Sequence, residues 1–228
     1  MPRIHFHQQL ATLKDKLLAM AALSQQALEL AVEAYLQRDT GLCHHVHDIE
    51  AAINAAERGV DEMAYELLAK EQPMAIDLRF LLAVIKINGD LERVGDQAAA
   101  IVKRCSELQK VPGAPGPENL PGDIAGMGEV AVKMIRKAIH SLLDGDAELA
   151  ERVLKMDDEI DRMNRHAQSA LRDEMARRPE VTENALNSII VARNLERAAD
   201  HATNIAEDVI FWVRGSDVRH SVAAAIAD

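Results

Sequence analysis

The sequence of 228 residues is poor in several residue types, and each shortage excludes a class of protein. Aromatic residues make up only 3%, which favours thin helices rich in Ala and Leu over β-sandwiches or barrels. Uninterrupted apolar runs, such as residues 80–85, fall far short of a membrane span. The first residues carry no early apolar run, so we expect no secretory signal. The two cysteines, Cys43 and Cys105, form no spaced pattern, which predicts reduced thiols in a cytoplasmic protein.

Basic residues are fewer than acidic ones, 26 against 37, and the net charge is −11. Binding to nucleic acid requires a basic surface, so a nucleic-acid partner is not expected. An acidic surface suits cations, basic protein partners or simple solubility. The sequence contains no Gly-rich phosphate loop, no Gly-x-Ser-x-Gly and no His-Glu-x-x-His, and the motifs of common enzymes are therefore missing. We predict that the protein is not an enzyme.

Prolines and glycines divide the chain into two halves. Four of the seven prolines lie in residues 111–122, and this density cannot continue a helix, so the segment is predicted to be a linker. Apolar residues recur three and four apart on both sides of it, which predicts three helices in each half. The expected helices span about 4–38, 40–70, 73–109, 124–143, 146–178 and 180–214. The predicted fold is all-α, with two tandem three-helix bundles at 1–110 and 123–215 and a mobile tail at 216–228.

The two halves share the motif Leu-Glu-Arg-x-x-Asp, at residues 91–96 and 195–200. Its acids are Glu92 and Asp96 in the first copy and Glu196 and Asp200 in the second. Residues four apart lie on one face of a helix, so each motif presents two carboxylates together. Like charges at this spacing repel one another, and a bound cation would compensate them.

The second helix of each half adds polar residues at the same spacing. They are Asp157 and Asp161 in the second half and Glu50 and Asn54 in the first. If these residues face the motif, each bundle has a site lined by carboxylates, and such sites suit hard cations and iron. The predicted metal ligands are Glu50, Glu92, Asp96, Asp157, Asp161, Glu196 and Asp200. If only one bundle is fully metallated, we expect it to be the second, because the first has an amide at Asn54.

Two other interpretations of these acids stay open. The acids could be solvated surface groups of a purely structural helical scaffold, as most helical acidic pairs are. The chain could also be a ferritin-like carboxylate metalloenzyme, although that class needs Glu-x-x-His, which is absent here. His201 follows Asp200 and could be a ligand or support one, but a surface position is the expectation.

The chain resembles the PhoU family of regulators of phosphate uptake. The residues that carry the resemblance are 71–73, 77–80, 86–96 and 191–207, and it extends from about residue 10 to residue 212. It implies two three-helix bundles with metal sites built from Glu/Asp-x-x-x-Asp motifs, which match the ligands predicted above. The metal would be iron, zinc, Mn or Mg, and Asn54 departs from the usual Asp.

The resemblance also implies a function and partners. It implies a cytoplasmic adaptor between the ATPase subunit of a phosphate ABC transporter and a sensor histidine kinase. Such an adaptor represses the phosphate-starvation response and contacts the membrane only peripherally. A homodimer is expected because it is the commonest closed assembly.

Overall fold

The computed structural model describes residues 2–108 and 116–218, and they form seven α-helices and two short 3-10 turns. The α-helices are α1 (Pro2–Gln37), α2 (Thr40–Glu71), α3 (Ile76–Leu108), α4 (Ile124–Asp144), α5 (Ala147–Leu154), α6 (Asp157–Arg177) and α7 (Thr182–Arg214). The 3-10 turns are Pro117–Asn119 and Pro179–Val181. The described residues contain no strand, and the all-α fold of two tandem bundles is confirmed.

The helix expected over residues 146–178 is interrupted, and this part of the prediction was wrong. It divides into α5 and α6 at Lys155 and Met156, where the Met156 N–H donates to the Val153 carbonyl at 2.9 Å in a tighter turn. The acids Asp157, Asp158 and Glu159 follow at once and occupy the first turn of α6. Negative side chains are stabilised at a helix N-terminus, so the sequence favours a new helix start here.

Matched capping residues begin the second helix of each bundle. The Asp39 carboxylate accepts hydrogen bonds from the backbone N–H of Gly41 at 2.7 Å and of Leu42 at 3.2 Å. The Asp146 carboxylate accepts from the N–H of Leu149 at 2.9 Å. Because Asp and Asn are among the best N-cap residues, both helix starts are encoded locally. The sequence repeat therefore extends to the helix boundaries.

The two bundles share one continuous apolar core. Helices α1, α2 and α3 pack together in the first bundle, and α4, α5 and α6 pack around α7 in the second. The most extensive contact joins α3 to α7, with buried side chains such as Leu91 and Leu195 on these two helices. The helices that carry the two acidic motifs thus form the junction between the bundles.

Parts of the predicted linker and tail lie outside the described residues, namely 111–115 and 219–228. Within the described chain, the linker ends in the 3-10 turn Pro117–Asn119, and α4 begins at Ile124. None of the helices in the described ranges is both long and apolar enough to cross a membrane.

Candidate metal centre

Helices α3 and α7 run antiparallel, and polar contacts fix how they are aligned. Residue numbers rise along α3 as those of their α7 partners fall. The contacts are Arg79 Nε to the Trp212 carbonyl (3.2 Å), Lys86 Nζ to Asp208 Oδ1 (2.8 Å), and Asp90 Oδ1 to His201 Nδ1 (2.9 Å) and Asn204 Nδ2 (3.1 Å). Continued along the helices, this alignment brings the two Leu-Glu-Arg-x-x-Asp motifs level with each other. Both acidic motifs therefore lie at the junction of the bundles.

His201 is a junction residue, and its expected surface position was wrong. Its side chain is only 13% exposed and shares a hydrogen bond with the buried carboxylate of Asp90. It also lies near Asp96 and Asp200, whose carboxyl pKa values are raised chiefly by burial and are lowered only in small part by the influence of His201. His201 therefore lies between the acidic motifs of the two bundles.

The second bundle brings together its four predicted acids between α6 and α7. Burial, together with the charges of Glu196, Asp157 and Asp161, raises the pKa of Asp200 from 3.8 to about 6. Burial also raises the pKa of Asp157, with added repulsion from Asp161, Asp158 and Glu196. A carboxyl pKa rises when neighbouring charges of the same sign disfavour ionisation. These four carboxylates therefore form one electrostatic cluster.

Two features of this second cluster bear on ligand binding. The Asp157 Oδ1 atom is buried and accepts no hydrogen bond, although a buried carboxylate oxygen normally has a partner. Asp161 is held by Arg165, whose Nη1 lies 3.2 Å from Asp161 Oδ2. The cluster thus contains an oxygen without a hydrogen-bond donor.

The first bundle brings its predicted acids together less symmetrically. Burial raises the pKa of Glu92, and the charges of Asp96, Glu57 and Glu50 raise it further. Partial shielding of its carboxylate from water also raises the pKa of Asp96, and the charge of Glu50 adds to the rise. Glu50, Glu92 and Asp96 are therefore neighbours, but Asp96 is exposed where Asp200 is half-buried.

Glu57 is a fourth carboxylate of the first cluster, and it is not among the ligands predicted from the sequence. It lies three residues after Asn54 on α2, at helical spacing from Glu50 and Asn54. This spacing was a readable signal, since residues three and four apart share a helix face. Both clusters thus contain four carboxylates.

The chemistry of these side chains fits a hard cation. Every donor is a carboxylate or amide oxygen, the type that Mg²⁺, Mn²⁺ and Ca²⁺ prefer and that iron accepts. In the described ranges, no three His, Cys, Asp or Glu side chains converge closely enough to hold an ion in their present rotamers. The carboxylates are near enough to repel one another, and coordination requires some of them to turn inward.

The sequence model of the PhoU domain family matches residues 17–105 and 124–209. The chain is 37% identical over 215 residues to a Pseudomonas aeruginosa protein named phosphate-specific transport system accessory protein PhoU homolog, covering 94% of this chain and 88% of that protein. A Mycobacterium tuberculosis protein of the same name, homolog 2, is 32% identical over 94% of this chain and 99% of its own length.

Two solved structures of PhoU proteins are also similar to this chain. The crystal structure of PhoU from Pseudomonas aeruginosa superposes with a TM-score of 0.88 at 36% identity, over 92% of this chain and 100% of that chain. The phosphate transport system regulatory protein PhoU from Streptococcus pneumoniae, at 24% identity and a TM-score of 0.84, shares the fold over 93% of this chain and 99% of its own. The family model covers most of the chain, and relatives above 30% identity cover nearly all of it. The chain therefore belongs to the PhoU family.

Proposed function

We propose that this protein is a phosphate-specific transport system accessory protein that regulates phosphate uptake without catalysing a reaction. Its relatives from Pseudomonas aeruginosa and Mycobacterium tuberculosis carry that name and align with nearly the whole chain. The observation that carries the proposal is the repetition of an acidic cluster at the junction of two bundles in a chain of this family. No nucleophile–base motif was found in the sequence, which fits a regulator better than an enzyme.

The acidic clusters would hold divalent metal ions, with iron, zinc, Mn and Mg as candidates. Asp157, Asp161, Glu196 and Asp200 would bind in the second bundle. A bound cation would neutralise the repelling carboxylates and connect α6 to α7. The unpartnered Asp157 Oδ1 supports this, because a cation would satisfy an oxygen that is otherwise left buried without a partner.

The regulator would act as an adaptor in the cytoplasm. One partner would be the ATPase subunit of the phosphate ABC transporter, and the other a sensor histidine kinase whose output falls when phosphate is plentiful. The acidic surface favours protein partners over nucleic acid, and metal binding would fix the shape of the junction between the bundles. A homodimer would present the same docking surfaces twice.

Co-precipitation tests this adaptor role. The tagged protein is expected to retain the transporter ATPase subunit and the histidine kinase from cells grown in high phosphate. Asp157→Asn with Asp200→Asn should weaken capture if metal shapes the junction, while Asp48→Asn, an exposed position on α2, should leave it unchanged. Failure to retain either partner from high-phosphate cells would refute the adaptor proposal.

Metal content tests the second part of the proposal. Elemental analysis of the protein after extensive dialysis is expected to find bound metal in the wild type and less in the double variant. Metal at background level in the wild type would favour the purely structural scaffold.

A further inference from the structure

The two ends of the α3–α7 junction differ in charge. The motifs at 91–96 and 195–200 set equivalent positions of the two helices 104 residues apart. Because the helices run antiparallel, equivalent positions lie at opposite ends of the junction. The first end combines the beginning of α3 with the end of α7, and the second end combines the beginning of α7 with the end of α3.

Cations at the first end are paired with acids. Lys86 Nζ lies 2.8 Å from Asp208 Oδ1, and Arg93 Nη1 lies 3.8 Å from Asp90 Oδ1. Glu207 adds a further carboxylate next to Asp208 in the chain. The positive charge of this end is therefore neutralised locally.

The second end has none of these three acids. The residues equivalent to them are one amide and two cations, namely Asn194, Lys103 and Arg104. The lysine–aspartate pair of the first end corresponds to Ile190 and Arg104. An aliphatic side chain and a cation thus replace an ion pair.

Helix α7 presents one exposed stripe at the second end. Leu186, Ile190, Arg193 and Arg197 follow one another at intervals of four, three and four residues, and therefore share a helix face. All four are exposed, and the two aliphatic residues are exposed by 46% and 40%. The fold thus leaves two large apolar side chains in water beside two cations.

Neighbouring residues of α1 place the end of α3 beside this stripe. The Cys105 thiol donates to the Ala34 carbonyl at 3.2 Å, and the hydroxyl oxygens of Tyr35 and Ser188 lie 2.8 Å apart. Cys105 and Ser188 are therefore level with each other, which brings the two cations of α3 next to α7. The resulting basic surface consists of Lys103, Arg104, Leu186, Ile190, Arg193 and Arg197.

The four cations of the basic surface form no ion pair within residues 2–108 and 116–218, and no side-chain hydrogen bond there includes them. Arg193 and Arg197 act on Glu196 only as neighbouring charges. In a chain with a net charge of −11, four such cations around two exposed aliphatic side chains are a local exception. The surface therefore fits a negatively charged partner.

The composition of the basic surface favours lipid over protein as this partner. Protein interfaces concentrate their binding energy in Trp, Tyr and Arg, whereas Leu is under-represented and Lys is depleted. The basic surface has no aromatic residue but contains Leu, Ile and Lys. Surfaces that bind membranes peripherally combine Lys and Arg with aliphatic side chains in this way.

We propose that the basic surface binds directly to anionic phospholipids at the surface of a bilayer. Its cations contact the headgroup phosphates, and Leu186 and Ile190 enter the boundary of the acyl region. The net negative charge of the remaining chain turns this end of the junction towards the bilayer. The binding requires neither metal nor a protein partner, and it is therefore independent of the proposed adaptor role.

Co-sedimentation of the full chain with lipid vesicles tests the proposal in EDTA, which prevents divalent ions from bridging carboxylates to lipid. The wild type is expected to sediment with vesicles of equal parts phosphatidylglycerol and phosphatidylcholine, and not with pure phosphatidylcholine. Added NaCl should weaken the binding by screening. Arg104→Gln with Arg193→Gln should lower the partition coefficient at least about tenfold, since each cation near an anionic surface contributes about fivefold.

Matched variants separate the basic surface from the net charge of the chain. Lys16→Gln with Lys133→Gln removes the same charge from exposed positions on α1 and α4 and should change the partition coefficient by less than about twofold. Leu186→Ser should weaken binding, whereas Leu82→Ser, at the equivalent exposed position of the first end, should not. Thermal unfolding followed by circular dichroism checks that every variant is folded.

Absence of wild-type binding to the anionic vesicles, or an equal loss in the two double variants, would overturn the proposal. If the wild type binds no vesicles and Arg104→Gln with Arg193→Gln abolishes co-precipitation of the transporter ATPase subunit or the kinase, the surface serves an acidic protein partner instead. Vesicle binding without co-precipitation of either protein would support the lipid contact and refute the adaptor role.

Discussion

Removing the charge of Asp200 should make the metal-free protein more stable. The ordinary carboxyl pKa of 3.8 rises to about 6 in the folded chain, first through burial and then through the charges of Glu196, Asp157 and Asp161. Because the folded state holds the proton more tightly than the unfolded state, ionised Asp200 destabilises the fold. This destabilisation is complete above about pH 6, diminishes as the pH falls through 6, and vanishes below 3.8. Asp200→Asn removes it.

The pKa shift sets the size of the effect. One pKa unit corresponds to about 1.4 kcal/mol, so a rise from 3.8 to about 6 sets an upper limit near 3 kcal/mol. Asp200 is only half-buried, and screening by water reduces the expected gain to about 1–2 kcal/mol. For a domain of this size, that gain raises the Tm by roughly 2–8 °C. At pH 5, between the two pKa values, about half of the gain should remain.

Urea unfolding in EDTA at pH 7.5 and at pH 5 measures this difference. Asp48→Asn, which changes an exposed carboxylate on α2, is the matched control and should change stability little at either pH. With excess Mn²⁺ the order should reverse, because an ion bound only by the native state stabilises the wild type and not the variant. A variant less stable than the wild type in EDTA at pH 7.5, or a gain independent of pH, would refute the electrostatic argument.

Three further predictions concern other parts of the molecule. Gly89→Ala should raise the free energy of unfolding by up to about 1 kcal/mol, since the added methyl meets no atom within 4 Å and Ala favours a helix. Gly128→Ala should lower the free energy of unfolding by about 1–3 kcal/mol, because the added methyl would lie 2.6 Å from Val32 Cγ1. Urea titrations of the two variants in parallel measure both effects. Asp90→Ala should lower the free energy of unfolding by about 1–3 kcal/mol in the same assay, since its two donors on α7 lose their acceptor, and an unchanged midpoint would contradict this. Cys105 should resist iodoacetamide at pH 8 until the protein is denatured, because it is buried and burial raises its thiol pKa to about 12. Mass spectrometry follows the labelling, and rapid labelling of Cys105 in the native protein would contradict this prediction.

Local signals made most of the fold predictable from the sequence. Periodic apolar residues placed the helices, and Asp39 and Asp146 marked two helix starts through their capping bonds. The break between α5 and α6 was not predicted, because no Gly or Pro occurs at Lys155 and Met156. Asp157 was interpreted as a metal ligand, although together with Asp158 and Glu159 it also stabilises a helix start.

The acidic motifs were recognisable because each one lies on a single helix. Contacts between helices are set by tertiary packing, and the sequence pattern could not supply them. The bond between Asp90 and His201 joins residues 111 positions apart, so nothing local distinguished this buried histidine from a surface one. The spacing of Glu57 places it on the same face of α2 as Glu50, but its effect on Glu92 of α3 depends on how the two helices pack.

The antiparallel contact between α3 and α7 has the form of a symmetric dimer joined into one chain. In a two-fold dimer, the same patch on both subunits meets itself in reverse order, as the two copies of the acidic motif do here. Later divergence is visible at the positions equivalent to Asp90 and His201, which are Asn194 and Gln97. One side of the junction therefore has a hydrogen-bonded Asp–His pair where the other has two buried amides. The two sides of the junction are therefore no longer interchangeable.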